Sequence, residues 1–504
     1  MTSSDRIAIL LSLAVIIGAA FIAGSVFENM AHLEDEFAYI WQANTIAGSK
    51  LTLPSPNYSS SFLIPFVIDH LGLRFAKYPL GWPVVLSLGI KLGLRDWINP
   101  ILAGIAVWFV YRLSKRLFNE KVGILSIVLL GTSPLFLIQA GTLLSHIWSL
   151  VLVTAFSLFW FDALDADQKN SAWLKGIIAG LCLGLVGLTR PLTMAAIVIP
   201  FFIHGMIKII RGNKSQRRII FLIGGSALIV ACLHFIWQWA LTGSLMTNPY
   251  SLWWPYDKYG FGPGYGVIPG GHSLIQGWWN TKHSLHAGLS DLFGWGMISW
   301  LFLPLGLIKG RKSGPVYLLS GIFISLVILY SAYWIGSWLL GPRYYFEALP
   351  GLTIISVLGV FGLAGWNIYK GDQKTEQEQR RFRPFFAMGT LTVLIFANLY
   401  FYLPSRLQTL RGLYGIERSD LAAFETAQAQ DLTPALVIVH SDLWMPYGSL
   451  LELQSSNLDS PWIFSWSIGP HRDQQLADSY RDQRNIVHYY PDEEPLKLYI
   501  HSQD

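Results

Sequence analysis

Residues 7–41 read "IAILLSLAVIIGAAFIAGSVFENMAHLEDEFAYIW". Ile7–Phe27 carries no charge, and ~20 apolar residues are enough to cross a bilayer as a helix. The run exceeds the ~7–15 residues of a signal-peptide core. It reads as an uncleaved first transmembrane helix. Three consecutive acids, Glu34, Asp35 and Glu36, follow soon after it. The first span therefore opens onto a dense negative patch, and the rest of the sequence has to explain that patch.

The whole chain repeats the apolar theme. Of its 504 residues, 52% are hydrophobic and only 13% charged, against about 25% charged in a soluble domain. Mean hydropathy is +0.42. The 21 tryptophans and 22 tyrosines suit membrane interfaces, where amphipathic rings collect. The net charge of +5 is spread in short basic clusters between apolar runs. That distribution excludes a nucleic-acid binder, which needs a contiguous basic surface. Cys182 and Cys232 both lie inside apolar runs and read as structural thiols, with neither a disulfide framework nor a metal knuckle.

Apolar runs place spans at 7–27, 97–114, 119–138, 141–162, 172–188, 191–210, 218–241, 291–308, 315–334, 344–366 and 383–403, about eleven helices. Residues 79–94 are short and carry two prolines and Lys91, so they read as juxtamembrane. With a cytoplasmic N-terminus, four basic clusters fall inside, as the positive-inside rule asks. They are Arg112, Lys115 and Arg116; Lys208, Arg211, Lys214, Arg217 and Arg218; Lys309, Arg311 and Lys312; and Lys370, Lys374, Arg380 and Arg381. The outer side then receives loops 28–96, 242–290 and 335–343 and the tail. Two regions follow: a transmembrane domain over 1–404 and a small α/β extracytoplasmic domain over 405–504. In the tail, 434–441, 485–491 and 496–501 read as strands and 417–430 as a helix.

Four outer segments carry polar groups that a simple anchor does not need. In "EDE", acids at a helix start favour its dipole, but three adjacent carboxylates also repel and raise one another's proton affinity, which suits a base or metal ligand. In "KYPLGW" (77–82), Lys77 reads either as a snorkelling side chain or as a cation facing phosphate. In "LTRP" (188–191), Arg190 sits between two spans, where an arginine is expensive unless paired. In "GPRYYFEALP" (341–350), Arg343 and Glu347 have the spacing of a local pair, in the less favourable orientation. An arginine at a helix start also opposes the dipole, so Arg343 reads as facing an anion, for which its planar fork is suited. The loop 250–272 alternates glycine with aromatics able to stack on a sugar or rest among lipid headgroups. His272, His283 and His286 follow it at no standard metal spacing. A carboxylate cluster and three isolated cations on one apolar face fit a lipid-linked phosphate.

On these residues the sequence resembles the GT-C-type integral-membrane glycosyltransferases, the group of the protein O-mannosyltransferases and the lipid A aminoarabinose transferase. The resemblance rests on "EDEFAYIWQANTIAG", "KYPLGW", "GLTRP" and "GPRYYFEALP" and covers about residues 7–366. It implies Asp35 as catalytic base with Glu36 beside it, and Lys77, Arg190 and Arg343 as cations for the donor's lipid phosphate. Tyr39, His146, Tyr344, Glu347 and His272 are accessory candidates. A divalent metal is a candidate cofactor. "KYPLGW" has one proline where the family often has two, and "LLSHIW" puts Ser145 and His146 where some members carry a second acid. The expected function is inverting sugar transfer from a polyprenyl-phosphate donor to an acceptor hydroxyl, on the outer face of a bacterial inner membrane. The acceptor is a glycan, a lipid or a protein. The alternatives are a flippase for a lipid-linked substrate, which expects mid-membrane polar groups and related halves, and a non-catalytic scaffold.

Overall fold

The computed structural model describes residues 1–166, 168–369, 382–493 and 496–500. Among them, eight helices are long and apolar enough to cross a membrane: Ser3–Ser25, Arg95–Leu117, His146–Leu164, Asn170–Thr189, Pro191–Arg211, Lys214–Thr242, Arg343–Ala364 and Phe382–Glu425. Two bent pairs, Glu120–Gly131 with Pro134–Gly141 and Leu274–Asp291 with Gly296–Lys309, raise the number to ten. The shorter apolar helix Gly314–Tyr330 accounts for the remaining expected segment. Residues 79–94 contain only the 11-residue helix Gly81–Lys91. At ~1.5 Å per residue it is too short to span. The basic cluster at 370–381 lies outside the described residues.

Two expected spans are broken, each for a visible reason. The run 119–138 bends by 60° after Gly131, where the Ser133 hydroxyl caps the next piece by accepting from the Phe136 N–H and Pro134 opens it. The run 291–308 does not start as a helix. Leu274–Asp291 ends there, and the chain turns by 107° into Gly296–Lys309. Gly294 and Gly296 take positive φ in that turn, and the Ser299 hydroxyl accepts from the N–H groups of Phe293 and Trp295.

The Gly296–Lys309 arm packs backbone to backbone on the helix Leu349–Ala364. A Cβ on Gly306 would lie 1.7 Å from the Ile355 carbonyl oxygen, and one on Gly359 would lie 2.1 Å from that of Phe302. Small residues at such crossings let helix backbones approach closely in lipid.

Two small sheets stand at one end of the bundle. In the first loop, strands Val67–His70 and Leu73–Ala76 form an antiparallel hairpin across Leu71-Gly72. Both turn residues have positive φ, the geometry that matches strand twist. In the tail, Ala435–Val439 pairs in parallel with Trp462–Trp466 and Asn485–Tyr489, and Leu498–Ile500 joins antiparallel at the edge. The strand "WIFSW" has no alternation to reveal it because it is almost wholly buried. The expected helix 417–430 is instead three short turns. Thr426 breaks it by taking an extended backbone and capping the following turn through its hydroxyl. The tail sheet is fastened to the first loop: Phe62 packs among Leu436, Ile438, Ile463 and Leu476, and Arg95 pairs with Glu452 at 2.5 Å. At the other end of the bundle, Asp5 pairs with Lys115 at 2.8 Å.

Filling the Gly359 contact, as Gly359→Val, is expected to lower stability by about 1–3 kcal/mol through overpacking. A Cβ on Gly18 meets nothing within 4 Å, so Gly18→Ala is expected to be neutral or to stabilise by up to ~1 kcal/mol. Thermal unfolding in detergent checks both.

Candidate active site

The site is assembled at the end of the bundle that holds both sheets. The helix Glu34–Ala47 presents its three acids in three directions, because successive helical residues point ~100° apart. Glu36 turns inward and is 2% exposed. One of its oxygens accepts from the N–H groups of His32 (2.9 Å) and Leu33 (3.0 Å), and the other from the Leu143 N–H (2.7 Å). It fixes the helix start to the turn before His146. These bonds direct both its oxygens at backbone amides, so Glu36 offers no clear ligand for a metal beside Asp35. Among the described residues, no three His, Cys, Asp or Glu side chains converge as a metal site would need. Glu34 sits at the rim. Burial pushes its carboxyl pKa up, with the neighbouring Asp35 adding to the effect.

Asp35 is bound from two sides. One oxygen accepts from the Tyr78 hydroxyl. The other lies 3.3 Å from Arg343 Nη1. Arg343 and Asp35 are 21% and 22% exposed, which separates this pair from the two described next.

Lys77 is held inside the protein. The hairpin ends at Ala76, whose N–H donates to the Gln42 side chain at 2.9 Å, and this delivers Lys77 into a cage of rings. Its ammonium lies 3.5 Å from the Phe66 centroid, with Tyr250 at 5.0 Å, Trp254 at 5.1 Å and Tyr78 at 5.3 Å. Such contacts are worth up to ~2 kcal/mol when dry. Its charge partner is Asp257, at 3.1 Å with exposures of 3% and 1%. Asp257 also accepts from the Tyr333 hydroxyl (2.8 Å) and Trp334 Nε1 (3.1 Å). Burial pushes the Lys77 pKa down, and Asp257 opposes this. The sequence reading missed Asp257, although it is the only acid between residues 242 and 290.

Arg190 is also engaged internally. It ends the helix Lys169–Thr189 and precedes Pro191, the first residue of the next helix. Its guanidinium donates to the Tyr330 hydroxyl at 3.1 Å and to the Thr193 hydroxyl at 3.3 Å, and it lies 2.9 Å from His146 Nε2. Glu347, fully buried, is 3.2 Å away. Glu347 thus pairs with Arg190 rather than with Arg343. The segment Arg343–Ala348 is a 3₁₀ helix, in which residues four apart do not align.

The other accessory candidates have mixed placements. His146 meets Arg190 and sets its ring edge-on to Phe346. The Tyr39 hydroxyl is 3.3 Å from the Ser145 hydroxyl, and its ring lies 4.6 Å from that of Tyr78. Tyr344 stacks on Tyr330 at 4.8 Å. His272 makes none of these contacts. Its Nε2 meets the Ser331 carbonyl at 2.9 Å and its ring stacks on Phe261, which ties down the glycine-aromatic loop. Tyr78 and Tyr330, each in contact with a central charged group, were not singled out by sequence. Tyr78 had a signal in adjacency, since it follows Lys77 directly; Tyr330 had none.

The Lys77–Asp257 pair yields a stability test. Asp257→Ala leaves a buried ammonium without its partner and is expected to destabilise by about 3–5 kcal/mol. The double variant Lys77→Met/Asp257→Leu is expected to recover most of that loss, since a buried pair can often be replaced by apolar groups. Thermal unfolding of the three proteins makes the comparison.

Residues 94–237 match the family described as dolichyl-phosphate-mannose-protein mannosyltransferase. No curated protein sequence matches the chain. Among solved structures, the fold is similar to ArnT from Cupriavidus metallidurans bound to undecaprenyl phosphate, with TM-score 0.59 and 13% identity, over 95% of this chain and 92% of that one. The apo state of the same protein gives TM-score 0.58 and 12% identity over the same shares. The oligosaccharyltransferase AglB from Archaeoglobus fulgidus, in complex with an inhibitory peptide and a dolichol-phosphate, matches at TM-score 0.48 and 14% identity, over 95% of this chain and 69% of that one, too distant to bear on the fold. The chain is an integral membrane protein with a GT-C-type fold, and it resembles the GT-C-type glycosyltransferases both in that fold and in the sequence of residues 94–237.

Proposed function

We propose that this protein is a membrane glycosyltransferase that moves a sugar from a polyprenyl-phosphate donor to an acceptor hydroxyl, with inversion at the anomeric carbon. The similarity to an ArnT structure bound to undecaprenyl phosphate supports the donor class. The observation that carries the mechanism is the partly exposed Asp35–Arg343 contact, set beside two cations already engaged inside the protein. In this reading the reaction faces the outer side of a bacterial inner membrane, the N-terminus is cytoplasmic, and residues 405–504 form an extracytoplasmic α/β domain.

In this reading each residue has a task. The donor's phosphate competes with Asp35 for Arg343, and a guanidinium binds phosphate oxygens through paired N–H groups. Losing Arg343 frees one Asp35 oxygen, while Tyr78 keeps the other in place. The freed oxygen takes the proton of the acceptor hydroxyl as the hydroxyl oxygen bonds to the anomeric carbon. The bond between that carbon and the phosphate oxygen breaks from the opposite side. The departing polyprenyl phosphate keeps the electron pair, and Arg343 stabilises its charge. Asp35 then releases the proton to water. Arg190 and His146 form the floor behind Arg343, and Lys77 holds Tyr78 and the 250–272 loop in position.

General-base assistance is worth ~10²–10⁴-fold. Asp35→Asn is therefore expected to lower turnover of a polyprenyl-phosphate sugar by about that factor while still binding undecaprenyl phosphate. Arg343→Gln is expected to weaken that binding by about tenfold or more. Near-normal turnover by folded Asp35→Asn would overturn the assignment.

A further inference from the structure

The eight residues ahead of Arg343, "IGSWLLGP" (335–342), form neither helix nor strand. Their backbone groups need partners from elsewhere, and side chains of three helices supply them. The helix Leu274–Asp291 acts through Asn280, whose Nδ2 donates to the preceding Trp334 carbonyl at 3.0 Å, and through the Ser284 hydroxyl, which accepts from the Ser337 N–H at 3.0 Å. Gln139 Nε2 donates to the Leu340 carbonyl at 3.0 Å. Arg406 Nη2 donates to the Leu339 carbonyl at 2.6 Å. Two adjacent carbonyls are thus gripped by two different helices, Pro134–Gly141 and Leu403–Gln408.

Arg406 is itself held in one orientation. Its Nε and Nη2 lie 3.1 and 3.3 Å from the two oxygens of Asp291, and its Nη1 donates to the Thr409 hydroxyl at 3.2 Å. Asp291 is 4% exposed and also accepts from the Tyr402 hydroxyl at 2.6 Å. It stands at the 107° corner described above. The last long helix meets this corner with Asn398, Tyr402 and Arg406, four residues apart. Its Asn398–Tyr402 stretch is a π-helical turn, a feature frequent at functional sites. A Cβ on Gly294 would lie 1.8 Å from Asn398 Oδ1, and one on Gly341 would lie 3.2 Å from Asp291 Oδ2. The turn before Arg343 therefore rests directly on the Asp291–Arg406 pair.

Between this grip and Arg343 the chain has little freedom. The Gly341 N–H donates to the Trp338 carbonyl at 3.1 Å and the Arg343 N–H to the Gly341 carbonyl at 2.8 Å. Pro342 has its φ fixed by its ring, and the Tyr344 N–H donates to the Ser337 hydroxyl at 3.2 Å. We propose that Arg406 is a positioning residue for the lipid phosphate: it fixes the Leu339–Leu340 turn, and through it the direction in which Arg343 presents its guanidinium beside Asp35. A guanidinium can hold the Asp291 carboxylate and the Leu339 carbonyl at once, whereas a lysine ammonium is a single point charge. The inference rests on the reading of Arg343 as the phosphate ligand. It goes beyond that reading by assigning the ligand's alignment to the last long helix.

The test measures binding of undecaprenyl phosphate, and the melting temperature, for the full-length wild type, Arg406→Lys, Arg343→Gln and the double variant. Arg406→Lys keeps a charge for Asp291 and loses the fork. It is expected to weaken binding by about 3–10-fold, the size of one lost hydrogen bond. In the Arg343→Gln background it is expected to cause no further loss, because its influence passes through that guanidinium. Gln139→Leu, which releases the neighbouring Leu340 carbonyl, is expected to repeat the pattern and decides the matter if Arg406→Lys does not fold. Wild-type affinity in folded Arg406→Lys would overturn the proposal, as would an equal loss with and without Arg343, the result of a purely structural role. Failure of the wild type to bind the lipid, or binding that ignores Arg343→Gln, would instead count against the donor class itself.

Discussion

Charge at the edge of hydrocarbon has to be paired, and this rule organises the end of the bundle that holds both sheets. Removing an ion from water carries a penalty of several kcal/mol, which a close and well-bonded counter-ion offsets. Lys77 meets Asp257, Arg190 meets Glu347 and Arg343 meets Asp35. Rings and donors surround Lys77–Asp257, and hydroxyls hold Arg190 beside buried Glu347. The third is the most exposed, at 21% and 22%, and in the proposed function it is the pair that a lipid phosphate separates.

The architecture serves that selection. A hairpin turn drives Lys77 into its cage. A 3₁₀ segment turns Arg343 away from Glu347, so that Glu347 is left for Arg190. Glu36 locks the first-loop helix onto the turn that carries His146, and this sets the direction of Asp35. Close glycine contacts hold the helix Leu349–Ala364 rigidly below Arg343. The tail is clamped to the first loop by Phe62 and by Arg95–Glu452.

Much of this was legible in the sequence because apolar length and isolated charge are local signals. The spans, the grouping of Arg190 and Arg343 with Asp35 at one end of the bundle, and three of the tail strands all follow from them. The bends at Gly131 and Gly294 were not legible, since hydropathy records depth and not direction. Nor could composition tell Asp35 from Glu36, because side-chain direction in the fold separates two adjacent acids. The sequestering of Lys77 depends on Asp257, 180 residues away, and no local pattern encodes that distance. The buried strand Trp462–Trp466 lacks the alternation that reveals half-exposed strands.

The central claim is that the Asp35–Arg343 pair opens for a lipid phosphate while the other two pairs stay closed. A structure determined with undecaprenyl phosphate bound tests it most directly. The account predicts the phosphate in ion-pair contact with Arg343, Asp35 released from the guanidinium, and Lys77 still on Asp257. A phosphate seated on Lys77, with Arg343 remaining on Asp35, would contradict it.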